Sequence, residues 1–503
     1  MSANREGSTF KILPPTTNTD YMKQDRILSM LPLIILLLTC INHAFGINPA
    51  IKAILTNKGL QYGSHVGTDW MHEKIMGMSI PDVSGGVDIG IGTVSYHLDG
   101  MSVTQCDIPA PSVKFSEGTG LQTIISGLSI SVRGNWQTGF GIIHDGGSFD
   151  LAVFNMDLTS LVQLGSDDKG HMSIISKYCL AGISYAKIYF HGGASFIFQP
   201  FVDHFEGRIK DLIEEKICPM VDQHVADLEG LLANMQVAFQ INPLLVLDIP
   251  LTSPPLIDPL NLGVNLKGEI YSVQQPTEPP FEGKAFDLPK DEGFMFLLGL
   301  SEFPLNSASY AYFSTGYFQT TITDKMIPDT FPFHLNTSTF GPFIPQLPKL
   351  FPNMLMELQL YARQIPKFSF LRDVVTLEFL GAIKTFAIQP NASHTPLFQL
   401  NADSNFSGKV NILEGKLHGL MNLSNFTLTL ASSEIGPFQT AALESAMKTV
   451  MKMSVLSKLN AKLMEGIALP TIPHLRLVKS VLKVQQGFML IASDIEVSSD
   501  FIN

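Results

Sequence analysis

Four prolines fall within the ten positions 250–259 (Pro250, Pro254, Pro255 and Pro259), near the middle of a 503-residue chain. Proline fixes φ and has no N–H to donate to a ladder, so 248–262 reads as an extended connector outside any core element. Pro276, Pro279 and Pro280 prolong that irregular character beyond a short strand at 263–273. A chain so interrupted has to fold as two halves, and each half is long enough to bury a core of its own.

Both halves repeat one order of elements. Alternation of apolar and polar residues predicts strands over 87–103, 123–138 and 148–164, and again over 310–322, 368–389, 407–430 and 475–495. Amphipathic periodicity predicts a first helix over 49–76, with Ile51, Ile54, Leu55, Val66, Trp70 and Ile75 available to one face. A second helix is predicted over 201–235. The other half supplies a short one at 343–351 and a long one at 440–467, with Ala442, Leu443, Met447, Val450, Met451 and Leu456 as its apolar positions. The fold class is α+β, a long helix with an antiparallel sheet, used twice.

Charge narrows the function. Charged residues make up 16% of the chain, against about a quarter in ordinary soluble domains, and 45% of residues are hydrophobic. The 34 Phe and 21 Met against 2 Trp predict a plastic interior suited to core packing or to acyl chains. Residues 47–250 carry 11 Lys+Arg and 21 Asp+Glu, a net of −10 (11 − 21). Nucleic acid is excluded as a partner by that balance. The nearest to basic elements are Lys52 with Lys58, Arg133, Lys177 with Lys187, and Arg208 with Lys210.

Residues 1–46 read as an extension plus secretory signal. Lys23 and Arg26 precede an apolar run at 27–41, and Ala44-Phe45-Gly46 offers small residues for cleavage near Gly46. The run is shorter than the roughly 20 residues of a spanning helix, and Pro32 interrupts it. The polar leader before Met22 suggests that translation begins at Met22. Beyond the signal only Cys106, Cys179 and Cys218 remain, which in an oxidising compartment means one pair and one spare thiol. Five Asn-x-Ser/Thr sequons, at Asn336, Asn391, Asn405, Asn422 and Asn425, predict glycans on surface loops of the second half.

No catalytic constellation is present in the sequence. A Gly-x-Ser-x-Gly elbow is missing, so His191-Gly192-Gly193-Ala194-Ser195 reads as a turn between two strands. His72-Glu73 lacks the second histidine of a zincin helix, and the 13 histidines show no metal-ligand spacing. The run from Gly85 to Gly92 sits in a strand pattern with no helix after it, which fits barrel curvature better than phosphate binding.

The run Gly299-Leu300-Ser301-Glu302-Phe303-Pro304-Leu305-Asn306-Ser307-Ala308, continued by Tyr312 to Gly316 and Thr323-Asp324-Lys325-Met326-Ile327-Pro328, is the most specific in the chain. It resembles the opening of the C-terminal barrel in the bactericidal/permeability-increasing and lipopolysaccharide-binding protein family. Ile80-Pro81-Asp82-Val83-Ser84-Gly85, Leu266-Lys267-Gly268-Glu269-Ile270-Tyr271 and Phe386-Ala387-Ile388-Gln389-Pro390-Asn391 look like family counterparts, and the resemblance spans about 48–497. The chain departs from the family's first helix, with Ala50 where the pattern has glycine and Ile54 where it has arginine.

The resemblance implies two similar barrels, each a twisted antiparallel sheet wrapped on long helices, joined by a central sheet in a boomerang. The domains are then 47–247, a linker at 248–262, and 263–503. It implies a Cys179–Cys218 disulfide, which would restrict the unfolded chain by about 3–4 kcal/mol, and a buried free Cys106. It implies an apolar pocket for one phospholipid in each barrel, with no metal or other cofactor. Candidate lining residues are Ile51, Leu55, Leu60, Ile209, Leu212, Ile213 and Ile217 in the first barrel, and Leu443, Met447, Val450 and Met451 in the second. A secreted, monomeric lipid binder of innate immunity is expected, touching membrane surfaces and recognising bacterial lipopolysaccharide through lipid A. Family members recognise lipid A with lysine and arginine at the tip of the first barrel, where this chain is acidic. The alternative is a lipid carrier without endotoxin binding or antibacterial activity.

Overall fold

The structure, a computed structural model, describes residues 48–88, 90–193, 202–290, 293–327, 334–468 and 475–498. The signal expected within 1–46 lies outside the described residues, as do Ala194 and Ser195.

Along the chain, β1 (Ile51–Thr56) and α1 (Asn57–Met76) lead into β2 (Val83–Asp88), β3 (Thr93–Asp107), β4 (Ser112–Ser116), β5 (Gly120–Phe140), β6 (Ile143–Ser166), β7 (Met172–His191) and α2 (Val202–Ala233). The middle holds β8 (Ala238–Asn242), β9 (Leu245–Asp248), β10 (Leu256–Ile257), β11 (Asn261–Leu266), β12 (Glu269–Ser272), β13 (Phe296–Ser301) and α3 (Phe303–Ser314). Then come β14 (Gln319–Thr323), α4 (Leu347–Leu350), β15 (Leu355–Ala362), β16 (Lys367–Leu371), β17 (Val374–Ile388), β18 (His394–Leu413) and β19 (Lys416–Ser433). The chain closes with α5 (Ala441–Val450), a π-helical turn (Met451–Leu456), α6 (Ser457–Glu465), β20 (Ile467–Ala468), β21 (Leu475–Gln485) and β22 (Phe488–Val497).

Two antiparallel barrel sheets, β2-β3-β5-β6-β7 with β4 on β5, and β14-β15-β17-β18-β19-β20 with β16 on β17, flank a central sheet ordered β10-β11-β1-β13-β22-β21. The first barrel's core joins its sheet to α2 through Leu98, Ile125, Phe149, Leu151 and Ile209. The second core gathers Ile344, Leu347, Met356, Leu397, Phe426 and Leu443.

Residues 51–56 correct the helix predicted over 49–76. They form β1, held between β11 (Ile51↔Leu266) and β13 (Ile51↔Leu300). Ile51, Ile54 and Thr56 are β-branched, and a strand with ladders on both sides satisfies every backbone group while burying them. The helix begins only after Thr56, whose Oγ1 accepts a hydrogen bond from the Gly59 N–H and donates one to the Phe294 carbonyl.

Other boundaries move for similar reasons. The strand predicted over 310–322 is α3 followed by β14, with Pro304 at the start of the helix, where its missing N–H costs nothing. His191 ends β7 and a turn follows at 192–193; the strand expected after it falls on 194–201, outside the described residues, and the next described element is α2. The proline-rich connector contributes β10 to the edge of the central sheet, and the single strand expected at 263–273 is the pair β11 and β12. Gly299 explains part of the motif that carries the resemblance. A Cβ there would lie 2.4 Å from Leu288 and 2.6 Å from Phe286, so glycine lets both side chains close over the central sheet.

Helices cover strand edges in both barrels: β7 at the end of the first sheet, and β19 of the second beyond Lys416 and Leu417, which pair with β20. An unpaired strand edge is a template for aggregation unless it is covered. Along β7 the backbone N–H groups of Ile188, Ile183 and Ile174 donate to Glu206, Glu214 and Glu229 of α2, at 2.8, 2.5 and 2.5 Å. Along β19 the Leu428 N–H donates to Glu444 of α5, and Asn460 of α6 both accepts from and donates to the Met421 backbone. Part of the acidity of the first half therefore serves the sheet edge.

Candidate functional site: an apolar cavity under α2

A cavity of about 340 Å³ lies in the first barrel between α2, the 78–83 segment and β3. That volume falls at the small end of the roughly 300–1,000 Å³ typical of ligand pockets. Helix α2 presents Ile209, Leu212, Ile213, Ile217 and Met220 to it, at the i, i+3, i+4, i+8, i+11 spacing of one helical face. Met78, Ile80, Val83 and Met101 form the opposite wall. Three of these nine side chains are methionine, unbranched and polarisable, so the walls can re-pack around a chain of variable shape. The exposed Lys216 stands at the rim.

Covalent and packing restraints fix α2 over this cavity. Cys179 of β7 and Cys218 of α2 are joined in a disulfide with Cα atoms 5.5 Å apart, one residue beyond Ile217. Cys106 is a free thiol buried in the same core. Burial pushes its pKa up and the neighbouring Asp107 charge adds to the effect, so the reactive thiolate is disfavoured.

The structure brings four of the seven first-barrel candidates together: Ile209, Leu212, Ile213 and Ile217. Ile51 and Leu55 are corrected, being strand residues of the central sheet; Ile51 packs on Gly268 and Leu55 beside Gly59. Leu60 is on α1 but seals a separate cluster with Phe115 and Ile257. Met78, Met101 and Met220 went unnoticed in the sequence, although the unusual methionine content was the available signal.

In the second barrel Leu443 is buried, and Met447 and Met451 pack against the core. Val450 is corrected: it is exposed to solvent. The buried positions run 443, 447, 451 and then 456, and the π turn absorbs the five-residue step that an α-helix would rotate off the face.

Among the first half's cations, Lys52 pairs with Asp287, Lys58 with Asp494 and Arg133 with Asp150, and Lys210 lies 4.0 Å from Glu214. The β2–β3 and β5–β6 turns carry Ile91, Ile142 and Ile143, all strongly exposed. No cationic cluster forms there among the described residues. The sequons are also relocated. Asn405, Asn422 and Asn425 stand within β18 and β19 rather than on loops, and Asn405 is the direct cross-strand partner of Asn425.

Comparison with known proteins decides the family. The description "LBP / BPI / CETP family, N-terminal domain" matches residues 59–232, and its C-terminal counterpart matches 239–497. The chain belongs to the LBP / BPI / CETP family. Its relatives include the bactericidal permeability-increasing protein of Sebastes schlegelii, 34% identical over 92% of this chain and 98% of that one. The lipopolysaccharide-binding protein of Homo sapiens is 27% identical over 92% and 97%. A crystal structure of lipopolysaccharide binding protein is similar at a TM-score of 0.62 and 25% identity, covering 90% of this chain and all of that one. In this LBP / BPI / CETP family member, both barrel sheets and every strand of the central sheet except β1 fall within the matched residues.

Proposed function

We propose that this protein is a secreted lipid binder that takes an acyl chain into the α2 cavity and leaves the head group at the Lys216 rim. The observation that carries the reading is a cavity walled by isoleucine, leucine, valine and flexible methionine with its one cation at the mouth. Each methylene moved from water into such a site gains roughly 0.8 kcal/mol, so chain length sets affinity without any catalytic group. The matching position in the second barrel is the inner side of α5, where Leu443, Met447 and Met451 would hold a second chain. Lipid extraction from the natively purified protein followed by mass spectrometry tests this. Stoichiometric phospholipid is the expected result, and lipid-free protein that takes up none from vesicles would reject it.

A second reading, recognition of bacterial lipopolysaccharide, is favoured by the relatives, whose names specify permeability increase in bacteria and lipopolysaccharide binding. Lipid A phosphates call for cations, whereas residues 47–250 carry 11 Lys+Arg against 21 Asp+Glu, and Lys52, Lys58 and Arg133 among those cations are held in ion pairs. Titration of the protein with purified lipid A separates the two readings. Saturable binding that competes with phospholipid for the cavity supports the second, and phospholipid uptake without lipid A binding supports a carrier.

A further inference from the structure

The two long helical elements differ in sign. Helix α2 carries eight acids and three bases, a net of −5 (3 − 8), whereas residues 441–465 carry four lysines and two glutamates, a net of +2 (4 − 2). One of those glutamates, Glu444, is turned inward to accept the Leu428 N–H. The other, Glu465, pairs with Lys462. Among the described residues no carboxylate lies within ion-pair distance of Lys448, Lys452 or Lys458, and the last two are exposed.

Apolar side chains stand among these lysines in solvent. Met453 is 73% exposed, Met464 66% and Val455 52%. The π turn produces this arrangement. By keeping Leu456 on the buried face it leaves Met453 and Val455 facing out, between Lys452 and Lys458. A helix that buries one side in its own barrel and shows lysine and methionine on the other has the make-up of an interfacial helix.

We propose that the outer face of α5, the π turn and α6 docks the second barrel on an anionic phospholipid bilayer, lysines to the head-group phosphates and Met453, Val455 and Met464 into the acyl boundary. Juxtaposed lysines are attracted to anionic leaflets and lose that attraction with salt. The exposed apolar side chains are interspersed with lysines that have no carboxylate partner among the described residues, which suits an anionic lipid surface better than a folded partner. The docking face is separate from the α2 cavity, so either proposal can fail without the other.

The test is co-sedimentation of the full-length secreted protein with phosphatidylcholine vesicles and with phosphatidylcholine/phosphatidylglycerol vesicles, at low and high ionic strength. The wild type should bind the anionic vesicles at least ~10-fold more tightly, with the preference lost at high salt. K452E/K458E should lose that preference, and K452Q/K458Q should lose most of it, with melting curves close to wild type. M453S/M464S should weaken binding several-fold while keeping the salt dependence. Equal binding to both vesicle types, or wild-type binding by a folded K452E/K458E protein, overturns the proposal. So does a concentration-dependent dimer in light scattering that K452E/K458E abolishes, which would assign the face to the acidic α2 of a second copy.

Discussion

Lys58 Nζ lies 2.8 Å from Asp494 Oδ1, joining the first turn of α1 to the last strand of the central sheet across 436 residues of sequence. The same carboxylate accepts the Met295 N–H at 3.2 Å, so three distant segments meet on one side chain. Burial by itself would raise the pKa of Asp494. Hydrogen bonds from Lys58 and Met295, with the charges of Lys58 and Lys479, outweigh it and hold the carboxyl below its usual range.

A depressed carboxylate pKa contributes stability that is present above the unfolded value, about 3.9, and is lost as pH falls through the folded value. Lys58→Met should lower stability by about 1.5–3 kcal/mol at neutral pH, the range for a hydrogen bond to a charged group. In urea titrations from neutral pH down to about 2, the variant should lose less additional stability on acidification than the wild type, because less of its stability depends on an ionised Asp494. Parallel curves for the two proteins would contradict this.

Glu214 accepts the Ile183 N–H at the edge of β7 that α2 covers. Glu214→Leu leaves that donor unmatched and should cost about 1–3 kcal/mol, whereas Glu214→Gln keeps an acceptor and should cost less. Hydrogen exchange at the Ile183 amide is the direct readout, with protection falling in the leucine variant and largely retained in the glutamine variant.

Filling the cavity separates lining residues from mere core. Met220→Trp, partly buried on the cavity wall, should reduce co-purified lipid severalfold with little loss of melting temperature. Leu55→Ala, in the central sheet and away from the cavity, should lower stability by about 2 kcal/mol or more and leave lipid occupancy unchanged. Mass spectrometry of the extracted lipid, normalised to folded protein, distinguishes the two.

Asn391 occupies an exposed turn, its side chain accepting from Ser393, while Asn405 and Asn425 face each other across one ladder. Directly opposed strand residues have Cβ atoms about 4.5–5.5 Å apart, too close for two glycans. Glycopeptide mapping should find Asn391 modified, and no molecule modified at both Asn405 and Asn425.

The sequence by itself determined a good deal. Its alternation located most of the barrel strands, and the i, i+3, i+4, i+8 stripe on 209–217 marked the face that lines the cavity. These are local signals, because a helix face or a strand face is written in consecutive residues. The motif at 299–308 tied them to a family fold through a glycine that admits Phe286 and Leu288. The tertiary structure alone decided what depends on distant partners. Ile51, Ile54 and Leu55 fit a helical stripe as well as a strand, and the ladders from residues 261–266 and 296–301 resolve the choice in favour of β1. Val450 satisfies the same apolar spacing as Met451, yet only the π turn and the sheet beneath it determine which of the two is buried. The excess of acids in the first half was plain in the composition. That three of them cap a strand edge required β7 and α2 to be packed side by side, because a backbone N–H finds its acceptor in space and not in sequence.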